Sequence, residues 1–172
     1  MLPESEDKRR MKNLVLGIGN TLLTDEGAGV YAMQFLRDRY DLPDTDFIDG
    51  GTQSFSLAAA IAEATNLIIF DAAEIGAEPG SVRIFEGSDF EDFLMSGCRS
   101  VHEVGFADLM DITRLMDCTP ENCALIGIQP EFVDWGDQPG QAVRSAIPEA
   151  AAQGAALIQR WLATPNDMQT HR

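Results

Sequence analysis

Short apolar runs alternate along this chain with longer stretches whose apolar residues recur every three or four positions, and that alternation sets the expected fold. Leu14, Val15, Leu16 and Ile18 are apolar at nearly every position, as in a strand covered on both faces of a parallel sheet. Leu67 to Phe70 and Ala124 to Ile128 repeat the pattern. Phe47 and Ile48 mark a shorter strand, and Val82, Ile84 and Phe85 alternate more as an edge strand does. Helical spacing predicts a helix from about Gly27 to Tyr40, with Gly29, Met33, Leu36 and Tyr40 on one stripe and Leu42 and Pro43 ending it. A second helix is expected from an N-cap at Ser54 to near Thr65. A third is expected from Ser100 to Asp117, with Phe106, Leu109, Met110, Thr113 and Met116 along its stripe. Residues 86–99, rich in Gly, Ser, Asp and Glu, read as a loop. A C-terminal helix carries Val143, Ile147, Ala150, Ala151, Gly154, Leu157, Ile158 and Trp161, with Pro148 either kinking it or marking its first turn. Strands alternating with helices predict an α/β fold whose mostly parallel sheet is covered on both faces.

Acidic residues gather where the strands end. The first strand runs into GIGNTLLTDEGAGV, where Gly17, Gly19 and Asn20 turn the chain. Asp25 and Glu26 then precede Gly27, Ala28 and Gly29, small residues that let the next helix lie close to the sheet. The second strand carries Asp49 in DGGT, and the third carries Asp71 in FDA. Parallel strands place such ends on one rim, the edge where open α/β sheets bind ligands. Crowded carboxylates resist ionisation unless a cation joins them. Asp49 by itself fits a turn or a helix cap equally well.

His102, four residues before Phe106, continues the third helix's inward stripe toward the same rim. A lone histidine there is commonly a packing or capping residue; joined to Glu26 and Asp71 it completes a donor set suited to zinc, nickel or manganese. His171 lies beside the chain's end. Other chemistries lack their signatures. HEVGF ends in phenylalanine where a zinc protease helix needs its second histidine, GIGNTL lacks the third glycine of a dinucleotide loop, and there is neither a P-loop nor a GxSxG elbow.

Composition narrows the partners. A length of 172 residues fits one domain, expected over 12–163, with a charged flexible extension over 1–11 and a flexible tail over 164–172. With 28 acidic against 12 basic residues the formal charge is −16, which repels phosphate backbones and anionic lipid. Neither nucleic acid nor a membrane is an expected partner, and no apolar run approaches the roughly 18 residues of a membrane span. Cys98, Cys118 and Cys123 form no CxxC pair and leave an odd count, which argues against disulfides or a zinc knuckle and points to a reducing cytoplasm with inert thiols.

GIGNTLLTDEGAGV, DGGT, FDA, SVHEVGF and GIQPE, in this order and spacing, resemble the maturation endopeptidases of nickel-iron hydrogenases over roughly residues 12–162. The resemblance implies a three-layer α/β/α sandwich with a twisted, mostly parallel five-stranded sheet. It also implies an endopeptidase that removes the C-terminal peptide of a hydrogenase large-subunit precursor once nickel has been inserted. By position, Glu26, Asp71 and His102 match the family's nickel-contacting set, and Asp49 matches an aspartate near that site. The nickel is then supplied by the substrate, with zinc or cadmium as stand-ins in vitro. Cleavage would use that metal as a Lewis acid or source of hydroxide, or Asp49 as general base on water. The chain is expected to act as a monomer. Two rivals stay open: a non-catalytic nickel-binding or delivery module, and a small-molecule hydrolase or phosphorylase, which would need a basic anion pocket that the rim segments do not supply.

Overall fold

The computed structural model describes residues 11–51, 57–95, 106–115 and 117–164. Five strands, β1 (Asn13–Ile18), β2 (Thr45–Gly51), β3 (Asn66–Ala72), β4 (Val82–Glu86) and β5 (Asn122–Ile128), form one sheet in the order β2-β1-β3-β5-β4. All neighbours run parallel except β4, which pairs antiparallel with β5 at the edge. Helices α1 (Ala28–Arg39) and α5 (Gln141–Ala163) cover one face. The other carries α2 (Ala58–Glu63), α3 (Gly87–Met95) and α4 (Phe106–Leu115). This is the expected three-layer α/β/α sandwich.

Burial on both faces explains the unbroken apolar runs, since every residue of β1 and β3 is buried. Side chains alternate between two cores. Val15, Ile68, Phe70 and Ile126 meet Met33 and Leu36 of α1 and Ile158 of α5, while Leu14, Leu16, Leu67 and Ile69 meet Ile61 of α2 and Met110 of α4.

Two sequence expectations change. Residues 87–95, read as loop, form α3, because Phe90 and Phe93, three apart, bury one helical face and Phe93 stacks on Phe85 of β4 with ring centroids 4.6 Å apart. Tertiary burial overrides the polar composition. Pro148 does not mark a first turn; it lies inside α5, which starts at Gln141. The predicted start of the second helix at Ser54, that of the third at Ser100, and both terminal segments lie outside the described residues.

The sheet's register is fixed at the N-terminal ends of its strands. Asn13, Asn66 and Asn122 are direct neighbours on β1, β3 and β5. Asn122 Nδ2 donates to Asn66 Oδ1 at 2.7 Å, Asn66 Nδ2 donates to Asn13 Oδ1 at 2.7 Å, and Asn13 Nδ2 reaches Thr45 Oγ1 at 3.2 Å. A slip of one residue would break the whole ladder and turn each core face outward.

At the opposite ends two glycines seat α1 on the sheet. A Cβ on Gly29 would lie 2.2 Å from the Phe70 carbonyl oxygen and 2.4 Å from that of Ile18, and one on Gly17 would lie 2.7 Å from Val30 Cα. Backbone therefore rests on backbone, and no other residue fits.

Replacing Asn66 by alanine strands a buried acceptor on Asn13 and a donor on Asn122. Stability is expected to fall by about 2–4 kcal/mol, read as a lower urea midpoint at unchanged m.

Candidate functional site

The glycine seat sets the rim. Because Gly29 touches the carbonyls that close β1 and β3, the 3₁₀ turn immediately before α1, Thr24–Gly27, is carried over the C-terminal ends of those strands and contacts β3. Gly19, at φ +140°, completes the fit, since a Cβ there would lie 2.0 Å from the Glu26 carbonyl oxygen. Glu26, in this turn, is 6% exposed, and Asp71, near the end of β3, is 3% exposed. Two buried carboxylates thus share one edge of the sheet in a strongly acidic chain. Hard oxygen donors are the kind that suit a divalent cation.

Asp49 stands differently. It pairs in register with Gly17, which pairs with Phe70, so these three positions share the face covered by α1 and α5. Asp71, one residue beyond Phe70, belongs to the opposite face. Asp49 is exposed, and its Oδ1 accepts the Gly51 N–H at 2.9 Å, with Gly51 at φ +49°. That bond fixes the DGGT turn. The structure therefore brings Glu26 and Asp71 to one rim and puts the Asp49 side chain on the face opposite that of Asp71. His102 lies outside the described residues. Among the described residues no group of three or more His, Cys, Asp or Glu side chains is arranged to hold a metal.

A residue whose role the sequence did not reveal organises the rim. Asp25, fully buried beside Glu26, accepts three backbone N–H groups: those of Glu131 at 2.8 Å and Phe132 at 3.2 Å on Oδ2, and that of Gly140 at 2.6 Å on Oδ1. It pins the strap of residues 130–140 between β5 and α5 across the 3₁₀ turn. Charge-assisted bonds of this kind are what make a buried carboxylate tolerable. Its partners lie more than a hundred positions away in sequence, so no local pattern announces them. Thr24 adds to the clamp: its N–H donates to Gly136 O at 2.9 Å, and its hydroxyl donates to Phe132 O and accepts from the Asp134 N–H. These bonds hold a β-branched residue at φ +43°, a conformation that costs about 1–3 kcal/mol.

Tyr31 closes the clamp from α1, donating to Asp137 O at 2.6 Å. Burial, then the nearby Asp137, raise the Tyr31 pKa above 10.0. The neutral phenol is thus favoured in the folded protein; its contribution is complete below pH 10.0 and lost as the pH rises through the raised value.

Gln129 of GIQPE, also buried, uses both ends of its amide. Oε1 accepts from the Ile75 N–H at 2.8 Å, and Nε2 donates to Glu74 Oε2 at 2.8 Å and to Pro130 O. The loop that follows Asp71 is thereby tied to the end of β5. The cysteines stand apart from this chemistry: burial, helped by Glu91, pushes the Cys123 thiol up to about 12, and Cys98 lies outside the described residues.

The chain matches a family model, HycI, described as hydrogenase maturation protease, over residues 30–156, a stretch that begins just after Glu26. It is 36% identical over 154 residues to the hydrogenase expression/formation protein HoxM of Cupriavidus necator, covering 88% of this chain and 76% of that one. It is also 36% identical over 126 residues to the hydrogenase 2 maturation protease of Escherichia coli K12, covering 72% and 76%. Among solved structures it is similar to the hydrogenase maturating endopeptidase HybD from E. coli, with a TM-score of 0.81 at 32% identity over 88% of this chain and 94% of that one. The NiFe hydrogenase maturation protease HybD from Thermococcus kodakarensis gives a TM-score of 0.72 at 27% identity, covering 86% and 99%.

The two neighbouring acids of the 3₁₀ turn are expected to respond unequally to mutation. Asp25→Ala takes the acceptor from three backbone N–H groups and should lower stability by about 2–4 kcal/mol while exposing the strap to limited proteolysis. Glu26→Gln, which keeps the size of the side chain, should lower the urea midpoint less than Asp25→Ala does. Cys123 should resist iodoacetamide at about pH 8 until the protein is unfolded, as read by mass spectrometry.

Proposed function

The chain belongs to the hydrogenase maturation protease family, and from that premise we propose that it removes the C-terminal peptide of a nickel-iron hydrogenase large-subunit precursor, reading nickel already seated in that substrate. The observation that carries this reading is the pair of buried carboxylates, Glu26 and Asp71, held at one rim by the contact of the 3₁₀ turn with β3. With His102, whose sequence position precedes α4 on the Asp71 face of the sheet, they form a mixed oxygen and nitrogen donor set that suits nickel. The protease contributes part of a coordination sphere and the precursor contributes the metal and its remaining ligands. Nickel loading is thereby converted into placement of the scissile bond, the kind of positioning that supplies much of an enzyme's rate enhancement.

In this reading Glu26, Asp71 and His102 hold and orient the substrate's metal, and a water molecule attacks the scissile carbonyl. The amide C–N bond breaks as the new C–O bond forms, and the leaving nitrogen takes a proton. Asp49 is the carboxylate that could accept the water's proton, but its turn bond to Gly51 and its place on the opposite face favour activation of the water at the metal. Zinc and cadmium, which share these donor preferences, should bind the isolated protein and inhibit cleavage. An odd count of three cysteines with no CxxC pair supports a reducing, cytoplasmic setting, and the charge of −16 argues against nucleic acid as a partner.

The direct test is the intact mass of a precursor prepared nickel-loaded and nickel-free and incubated with this protein. Loss of one defined C-terminal peptide from the loaded form alone is expected. Unchanged mass in both, together with tight nickel binding by the protein itself, would instead favour a nickel-delivery module. Glu26→Gln, Asp71→Asn and His102→Ala should each lower kcat/KM by a hundredfold or more, on the order of 3 kcal/mol of transition-state stabilisation. Asp49→Asn keeps an acceptor for the Gly51 N–H while removing the basicity, so kcat is expected to stay within about threefold of wild type; a fall like that of the ligand variants would assign Asp49 the proton transfer.

A further inference from the structure

Large apolar side chains are exposed at seven positions among the described residues, and four of them, Leu22, Phe132, Val133 and Trp135, fall on two segments that are bonded together. The Gly136 N–H donates to Leu22 O at 3.0 Å, and the Thr24 N–H donates to Gly136 O at 2.9 Å, so the loop leading to the 3₁₀ turn and the strap lie side by side. Trp135 is 80% exposed. Local packing does not account for such a side chain, and clustered exposed apolar groups mark interaction surfaces.

The surroundings of this patch are strongly polarised. Glu131, Asp134 and Asp137 alternate with the apolar residues and are all exposed. No Lys or Arg occurs from Asn13 to Leu36 or from Leu115 to Val143, and the cation next along the chain, Arg144 of α5, donates to Gln138 at the far end of the strap and to Gln141. The backbone beneath is rigid, since the Asp25 carboxylate holds the N–H groups of Glu131, Phe132 and Gly140, and Asp134 Oδ1 accepts the Trp135 N–H at 2.7 Å. An exposed tryptophan on a backbone held by these bonds, with carboxylates close by in the strap, has the composition of a binding hot spot for an apolar group flanked by positive charge. Asp25 and Glu26 are consecutive, so the same 3₁₀ turn that carries the candidate ligand also anchors the patch.

We propose that Leu22, Phe132, Val133 and Trp135 form the docking surface for the body of the large-subunit precursor, engaging a segment in which apolar side chains stand beside Lys or Arg while the metal is held at the rim. This rests on the proposed function for the identity of the partner. The surface supplies affinity and orientation separately from the donor set, so it acts on KM, whereas the donor set acts on kcat. Attraction between the acids of the strap and the basic segment speeds encounter and is screened by salt.

The experiment is steady-state cleavage of the nickel-loaded precursor, followed by mass, with direct binding measured in parallel on the immobilised precursor. Trp135→Ala is expected to raise KM and weaken binding by about tenfold or more with kcat within twofold, because an exposed side chain with its backbone bonds intact can be removed without altering the fold. Glu131→Lys should weaken binding and flatten its dependence on salt. Leu115→Ala, equally exposed but at the end of α4 that leads toward the N-terminal edge of the sheet, is the control and should change neither constant. Normal cleavage by wild type with KM and binding unaltered in Trp135→Ala would overturn the docking surface and leave the proposed function standing. Wild-type binding that depends on Trp135, without cleavage, would keep the surface and overturn the proposed activity. A wild-type dimer in sedimentation that Trp135→Ala converts to monomer would assign the patch to a second copy of this chain and overturn the proposal.

Discussion

The position of the candidate site depends on one contact, the seating of the first turn of α1 on the carbonyls that close β1 and β3. Gly29 lies where any Cβ would overlap the Phe70 and Ile18 oxygens, and Gly17 meets it from the strand side. A helix packed through side chains would stand about 10 Å from the sheet, the spacing usual between layers. Packed through glycine it descends onto the strand ends, and the 3₁₀ turn ahead of it is pulled over the rim with Glu26 inside. The placement of Glu26 beside β3 is thus a consequence of a steric absence at Gly29.

That geometry carries a cost, because the turn holds two buried acids and a threonine in a left-handed conformation. Asp25 resolves part of it by serving the backbone: with three N–H donors on its two oxygens it replaces the solvent it has lost, and it ties the strap of residues 130–140 to the turn. Glu26 and Asp71 are buried at the C-terminal edge of the sheet. Adjacent acids in one short turn therefore face different surroundings: Asp25 is held by the strap, and Glu26 is buried beside β3. The same strap then presents Trp135 and Phe132 outward, so the device that stabilises the rim also shapes the surface beside it.

Polar groups at the two ends of the strands serve different purposes. At the N-terminal edge, Asn13, Asn66 and Asn122 bond one another in a closed ladder that fixes which residues face which core. At the C-terminal edge Asp25, Thr24 and Gln129 tie the loops to the strand ends, and Glu26 and Asp71 are buried beside them.

The sequence by itself determined the layers and the rim. Apolar residues at successive positions of 14–18, 67–70 and 124–128 can be buried only between two helical layers, and acids immediately beyond such strands have only the rim to occupy. The rim position of Asp71 was legible for that reason, since strand direction places it, whereas Glu26 is carried to the rim by the turn before α1. The family's motifs made the same positions visible independently.

Only the tertiary structure decided which acids share a face of the sheet. The register that sets Asp49 level with Gly17 and Phe70 puts it on the other face from Asp71, a parity that depends on the pairing of β2 with β1 and is absent from the string DGGT. Asp25 gives no local sign of its role because its partners lie across the fold on the strap. Helix α3 was hidden in a polar stretch because its stability comes from two phenylalanines meeting β4 and β5 rather than from propensity. Local pattern fixes what a residue must do with its immediate neighbours; contacts between distant segments, which carry the burial energy and the long-range hydrogen bonds, fix the rest.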